Sequence, residues 1–246
     1  MKVLISNDDG VFAPGLAALV RAFAGAGHEV TVCAPDGQRS AASQSLTIGR
    51  PLVVREVEVE GAAKAYAIGG TPADCVKLGL SSLIPQAEAV ISGVNHGFNA
   101  GSDVLYSGTV GAAMEGALGG LPAMAVSLGS ARTDTYDKAA ALAVSAFDDM
   151  IAHPLPPCSV LNINYPVCDE AKGLRAAPMG QLHYDESYVR DVNEAGETTY
   201  TLSGSIAKNR RQSRDYELLE QGYATMTVLH FDMTHREATD TLSRGE

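Results

Sequence analysis

The sequence predicts an α/β fold, a mainly parallel sheet covered by helices on both faces, followed by an extended hairpin and a C-terminal element. Three observations carry this prediction. Short apolar runs alternate with helical patterns through the first two thirds of the chain, the order that parallel strands joined by crossover helices require. Polar, turn-prone clusters follow several of the apolar runs. Finally, the share of charged residues rises from 28 of 180 in residues 1–180 to 13 of 40 in residues 181–220, so the chain changes character near residue 180.

The elements follow in order. Residues 2–6 form a first strand, and Leu16, Leu19, Val20 and Phe23 then repeat at i, i+3, i+4 and i+7, one stripe of an amphipathic helix. Pro14 suits the first turn of that helix and Gly27 its end. A second strand covers 29–34. Residues 53–59 alternate apolar and charged side chains and read as a half-exposed strand. Thr71-Pro72 starts a helix, cap then first-turn proline, that runs over 73–83. Residues 89–92, 123–127 and 159–164 read as buried strands, with helices over 110–119 and 135–152 between them. Residues 181–220 form a charged, exposed extension, a long hairpin turning around Ala195-Gly196. Such an extension is either an assembly device or a solvated flap. Strand character returns over 223–231, and a final helix spans 234–242.

Composition limits the function classes. A net charge of −11 over 246 residues, with 46% hydrophobic residues, describes a globular chain that buries a core but lacks the cationic surface of a general DNA or RNA binder. The same charge disfavours docking on anionic membranes. No apolar run approaches the ~18 residues of a membrane span, and the start is too weakly apolar for a signal peptide. The four cysteines form no Cys-x-x-Cys pair and read as reduced thiols, which with the preceding points predicts a cytoplasmic protein. Neither Gly-x-x-x-x-Gly-Lys-Ser/Thr nor a Gly-x-Gly-x-x-Gly after the first strand is present, so the usual phosphate-loop and dinucleotide signals are missing.

Chemistry is expected beyond the carboxyl ends of the parallel strands. Asn7-Asp8-Asp9-Gly10 is the sharpest signal there. Two adjacent carboxylates repel and are costly to desolvate together. A hard divalent cation held by oxygen donors removes that cost; the alternative is a plain turn or helix cap. Residues 39–47 are rich in hydroxyls and carry Arg39, which suits phosphate oxygens, or else form a flexible surface loop. Ser107-Gly108-Thr109 precedes a helix, with Thr109 as its expected cap, and a helix amino end favours phosphate. His96 stands near substrate or is a bystander.

Taken together these motifs resemble the SurE family, the stationary-phase survival proteins that act as metal-dependent nucleotidases. The resemblance rests on VLISNDDG (3–10), Ala34-Pro35-Asp36, residues 39–47, GTPADCV (70–76), residues 92–99, YSGTVGAAMEG (106–116), Leu161-Asn162-Ile163-Asn164 and Gly222-Tyr223. Phe98, Gln44 and Val228 depart from the family pattern. The resemblance implies a Rossmann-like three-layer sandwich over a single domain (1–246), made of a catalytic core (1–180), the charged extension (181–220) and a C-terminal strand and helix (221–246), assembled as a homodimer or homotetramer. It implies that Asp8, Asp9, Ser40 and Asn95 ligate one Mg²⁺ or Mn²⁺. It places Asn99, Ser107, Gly108 and Thr109 at the phosphate. The substrate expected is a nucleoside 5′-monophosphate, with 3′-nucleotides and short polyphosphate as further candidates, and Asp8 or Asp9 is expected to orient or deprotonate the attacking water. The rivals are a non-catalytic nucleotide-sensing protein on the same fold and an aspartyl-phosphate phosphatase. The latter wants Asp-x-Asp, where this chain has Asn7-Asp8-Asp9.

Overall fold

The computed structural model describes residues 1–129, 135–207 and 213–243. A nine-stranded sheet forms its centre, built from β1 (Lys2–Ser6), β2 (Glu29–Pro35), β3 (Val54–Val57), β4 (Lys64–Ile68), β5 (Ala89–His96), β6 (Ala123–Leu128), β7 (Ser159–Tyr165), β8 (Leu174–Ala176) and β11 (Ala224–His230) in the order β3-β4-β2-β1-β5-β6-β7-β11-β8. The six strands from β4 to β7 are mutually parallel. β3 and β11 join the two ends of this block antiparallel. β9 (Tyr184–Val192) and β10 (Thr198–Ile206) pair with each other as a separate two-stranded hairpin.

Helices α1 (Pro14–Gly25) and α4 (Tyr136–Ala152) pack together on one face, and α2 (Pro72–Leu78) and α3 (Gly108–Leu118) on the other. Alternation along β1 explains the partition. Val3 and Ile5 enter the cluster holding Leu16, Leu19, Phe23 and Phe147, whereas Leu4 enters the one holding Val76 and Ala112. Both faces of the parallel strands are therefore dry, which is why β1, β6 and β7 are buried almost throughout. Two shorter helices, α5 (Arg214–Glu220) and α6 (Arg236–Ser243), lie in the last part of the chain.

Several boundaries differ from the sequence expectation. The helix expected over 73–83 is α2 followed by a π-helical segment, Gly79–Leu83. Thr71 and Asp74 close a reciprocal capping box at its start. The half-exposed strand over 53–59 is only the four residues of β3, and β4 was not anticipated. β5 continues to His96, with its pairing to β6 shifting register between Ser92 and Asn95. Asn95 therefore ends a strand instead of lying in a loop. Ser107, not Thr109, caps α3, its hydroxyl accepting from the N–H of Val110 at 3.0 Å. Of the extension, residues 208–212 lie outside the described residues, as do 244–246 at the C-terminus. The end of the expected exposed extension is instead α5, with Asp215, Leu218 and Leu219 buried.

β2 lies on one side of β1 and β5 on the other. Chain order thus reverses at β1, and the crevice beyond the carboxyl ends of β1 and β5 is where such sheets bind ligands.

Candidate active site

Asn7-Asp8-Asp9-Gly10 leaves β1 into that crevice. The turn is fixed by Asn7, whose side chain is fully buried. Its Nδ2 donates to the Gly10 carbonyl at 2.9 Å, and its Oδ1 accepts from the Gly10 N–H at 3.2 Å. Asp8 is 6% exposed, and its Oδ1 accepts from the Thr109 hydroxyl at 2.7 Å. Burial holds the Asp8 carboxyl above the ordinary aspartate range; the Thr109 hydrogen bond pulls it back, and the neighbouring Asp9 charge pushes it further up. Asp9 is tied through Oδ2 to the backbone N–H of His96 at 3.1 Å. That bond sets the end of β5, and with it Asn95, beside the acidic pair.

Residues 39–47 reach the same place from β2. The Arg39 N–H donates to the carbonyl of Asp8 at 2.7 Å, which brings Ser40 next to the acidic turn. This segment is an anchored loop rather than the flexible one that remained open from the sequence. Ser43 bonds the carbonyls of Tyr106 and Leu105, and Thr71 donates to the carbonyl of Ser45 at 2.6 Å. The Asp74 carboxylate accepts from the Thr47 N–H, and Gln44 donates to Glu115 at 2.8 Å. Hydrogen bonds from Thr47 and Thr71 outweigh burial and hold Asp74 below its ordinary range. Gly111 makes this docking possible, because a Cβ there would lie 2.5 Å from the Ser43 carbonyl oxygen.

The amino end of α3 closes the site against Asp8. A Cβ on Gly108 would lie 2.9 Å from Cβ of Asp8, so only glycine lets the helix start approach the carboxylate. The Thr109 hydroxyl donates its hydrogen to Asp8, whereas the Ser107 hydroxyl only accepts from the Val110 N–H and keeps its own hydrogen for a ligand. What the helix start offers an anion is therefore the Ser107 hydroxyl hydrogen, backbone N–H groups and the positive end of its dipole.

Asn99 sits over a buried amide network. Its N–H donates to Asn164 Oδ1 at 2.8 Å, and its carbonyl accepts from Asn162 and Asn164 at 2.8 and 3.0 Å. Its own Nδ2 donates to Ser127 at 2.8 Å. The structure thus gathers Asp8, Asp9, Ser40, Asn95, Ser107, Gly108 and Thr109 around one crevice, while Asn99 is locked beside it with one side-chain N–H already used. Asn162, Asn164, Ser127, Glu115 and Asp74 were not anticipated as site supports. Asn162 and Asn164 carried a usable signal: two amides at i, i+2 on one face of an otherwise apolar strand must find partners once buried.

The donor set suits a hard cation. Among the described residues, no three His, Cys, Asp or Glu side chains gather as a metal centre. The candidate ligands are instead two carboxylates, a hydroxyl and an amide, all oxygen donors as Mg²⁺ and Mn²⁺ prefer. Asn95 directs Nδ2 to the Gly97 carbonyl at 2.9 Å, which reserves its oxygen for a ligand role. Ser40 Oγ accepts from Gln38 at 2.9 Å and retains a lone pair. A buried carboxyl held above its ordinary range beside a second acid is the state that a bound cation would relieve.

Comparison with known proteins agrees with this architecture. The family described as "Survival protein SurE" matches residues 3–186. The protein named 5′-nucleotidase SurE from Clostridium beijerinckii is 42% identical over 241 residues, covering 95% of this chain and 94% of the relative. Those of the same name from Synechococcus elongatus and Xanthomonas axonopodis pv. citri are 39% and 40% identical, covering 96% and 99% of this chain and 95% of each relative. The crystal structure of the SurE protein from Aquifex aeolicus superposes with a TM-score of 0.85 at 31% identity, covering 99% of both chains. With the acidic turn, the anchored hydroxyl loop and the α3 start converging at the β1–β5 crevice, and with relatives alike over nearly their whole length, this chain belongs to the SurE family.

Proposed function

We propose that this protein hydrolyses nucleoside monophosphates to nucleoside and inorganic phosphate, using one Mg²⁺ or Mn²⁺ held by Asp8, Asp9, Ser40 and Asn95. The observation that carries the reading is Asp8, a buried carboxyl set between a second aspartate and the amino end of a helix. That arrangement joins a cation site to an anion site, as phosphoester chemistry needs. The names of the relatives supply the nucleotide. When bound, the cation supplies Lewis-acid polarisation of the phosphoryl group and lowers the pKa of water. The chain supplies the rest. The Gly108 backbone N–H and the Ser107 hydroxyl hydrogen receive phosphoryl oxygens and offset the charge that grows on them. Thr109 orients Asp8 through its 2.7 Å hydrogen bond, and the His96 N–H orients Asp9. Asp9, whose Oδ1 is not used by the His96 bond, is placed to align an attacking water and receive its proton.

Phosphate release should be measured over nucleoside 5′- and 3′-monophosphates and short polyphosphate, with Mg²⁺ and Mn²⁺ in turn. Turnover of at least one monophosphate is expected, lost in excess EDTA and restored by either ion. Full turnover in EDTA would falsify the cation role. Binding of nucleotides without any phosphate release would favour a sensor instead.

Assembly as a homodimer or homotetramer is the second part of the proposal, and the hairpin supports it. Alternation and register put Tyr184, Tyr188 and Val192 on the same face as Leu202 and Tyr200, all of them exposed. The opposite face carries Asp185, Ser187, Asp191, Thr199, Thr201 and Ser203, with Val189 as its apolar member. An isolated two-stranded sheet is marginal alone, and the aromatic and aliphatic side chains that crowd one face, around Glu186 and Arg190, suit burial against a second subunit. Deleting residues 185–205 should shift sedimentation to a smaller species, and an unchanged profile removes the hairpin from assembly. Among the described residues no helix is long and apolar enough to cross a membrane, which fits the cytoplasmic location we propose.

A further inference from the structure

Resting on the nucleotidase reading, we propose that the recess on the outer side of Asp9 receives the nucleoside of the substrate, with the phenyl ring of Phe12 as the platform for its base. The recess is walled by the turn from Asp9 to Pro14, the turn from Asp36 to Gln38, His96 and Tyr136, and has a volume of about 500 Å³. That falls within the ~300–1,000 Å³ of small-molecule sites.

Three observations select it. The first is continuity, since Asp9 lines the recess and also belongs to the candidate cation site. A phosphate ester held at the α3 start therefore meets the recess on leaving the acidic pair. The second is closure of the other side. A Cβ on Gly108 would lie within 3.0 Å of both Asp8 and Pro72, so on that side of Asp8 the chain itself fills the space next to the helix. The third is Phe12, 72% exposed on the lip of the recess although it directly follows the buried Val11. A phenyl face left in water three residues beyond Asp9 is suited to stacking with a base, an interaction that tolerates any base because every base has a π-face.

The polar walls fit the sugar. His96 Nδ1 and the Tyr136 hydroxyl form a 2.9 Å pair, and Asp36 presents a carboxylate whose Oδ1 is 2.9 Å from Arg39. A hydroxyl, an imidazole and a carboxylate around one recess are the partners that ribose hydroxyls require. The assignment also accounts for selectivity by a site whose phosphate end recognises only phosphate: a small alkyl phosphate fills the α3 end and leaves the recess in water.

The test compares adenosine 5′-monophosphate with glycerol 2-phosphate under saturating Mn²⁺, in the parent protein and in Phe12→Ala and Phe12→Tyr. Phe12 is exposed, so its truncation leaves no internal cavity. The expected result in Phe12→Ala is about a tenfold fall in preference for the nucleotide, carried by its KM rather than by kcat. Phe12→Tyr should restore the preference, since the ring is kept. Adenosine alone, titrated by calorimetry, should bind the parent and Phe12→Tyr more tightly than Phe12→Ala. Equal nucleotide preference and equal adenosine affinity in Phe12→Ala and the parent would overturn the placement while leaving the nucleotidase reading intact. A parent protein that releases phosphate from neither ester would overturn the nucleotidase reading itself.

Discussion

Asp8→Asn should lower phosphate release by at least about 100-fold while raising the melting temperature of the cation-free protein. The loss of activity follows from removing a charged donor from a cation site, where even the partners that orient ligands are worth about 10–100-fold. The gain in stability follows from the direction of the Asp8 shift. Burial holds this carboxyl above its ordinary range in the folded protein. The folded state therefore favours the protonated form more than the unfolded chain does. The contribution of Asp8 to stability is full below the unfolded pKa and is lost as pH rises through the raised folded value. At neutral pH without cation, the ionised group is a cost. Asparagine keeps the shape and still accepts from the Thr109 hydroxyl through Oδ1, but never ionises. Thermal unfolding in EDTA from mildly acidic to neutral pH checks the sign. The difference between variant and parent should widen with rising pH. Asp74, held below its ordinary range, acts in the opposite direction in both proteins and cancels from the comparison. A variant less stable than its parent at neutral pH in EDTA would show that Asp8 is instead a satisfied structural acid, and the cation site would lose its main support.

How much of this was legible in the sequence depends on how local each signal is. β1, β6 and β7 announce themselves as apolar runs because both of their faces are covered. α1 announces itself through the stripe of Leu16, Leu19, Val20 and Phe23, all buried. β4 did not, because Lys64-Ala65-Tyr66-Ala67-Ile68 has little β-branched character and owes its place to pairing with β2 and β3. β8, three residues long, has no pattern of its own and exists by pairing with β11. The site divides in the same way. Asp8 and Asp9 are a local signal, two acids after an apolar strand. The anchoring of residues 39–47 is not, since Gln44 and Glu115 are 71 residues apart and Thr47 and Asp74 are 27 apart. A run of hydroxyls reads equally well as a loose loop until those partners are known. Thr109 was misread as a cap because both it and Ser107 suit that position, and only the turn geometry assigns the cap to Ser107 and frees Thr109 to bond Asp8.

The amide network under Asn99 gives the second large effect, and here stability and activity should fall together. Asn164→Leu preserves most of the buried volume but removes the acceptor of the Asn99 N–H and one donor to the Asn99 carbonyl. The N–H is then buried without a partner, and the expected cost is about 2–4 kcal/mol. For a chain of this size that lowers the melting temperature by about 5–15 °C. Asn162→Leu should cost clearly less, although its side chain is as buried. The Asn99 carbonyl keeps its bond from Asn164, and the Asn162 Oδ1 that leucine would replace has no hydrogen-bond partner. Activity should follow the same ranking, because Asn99 begins the segment that leads through the 3₁₀ helix Gly101–Tyr106 to Ser107 and the start of α3. Freeing Asn99 loosens the donors that receive phosphate, so the loss should appear in KM for the nucleotide as well as in turnover. Equal destabilisation by the two leucine variants would mean that buried volume, not the pairing of the Asn99 N–H, is what β7 contributes. A fall in melting temperature with nucleotide KM and turnover unchanged would separate this network from the phosphate end of the crevice.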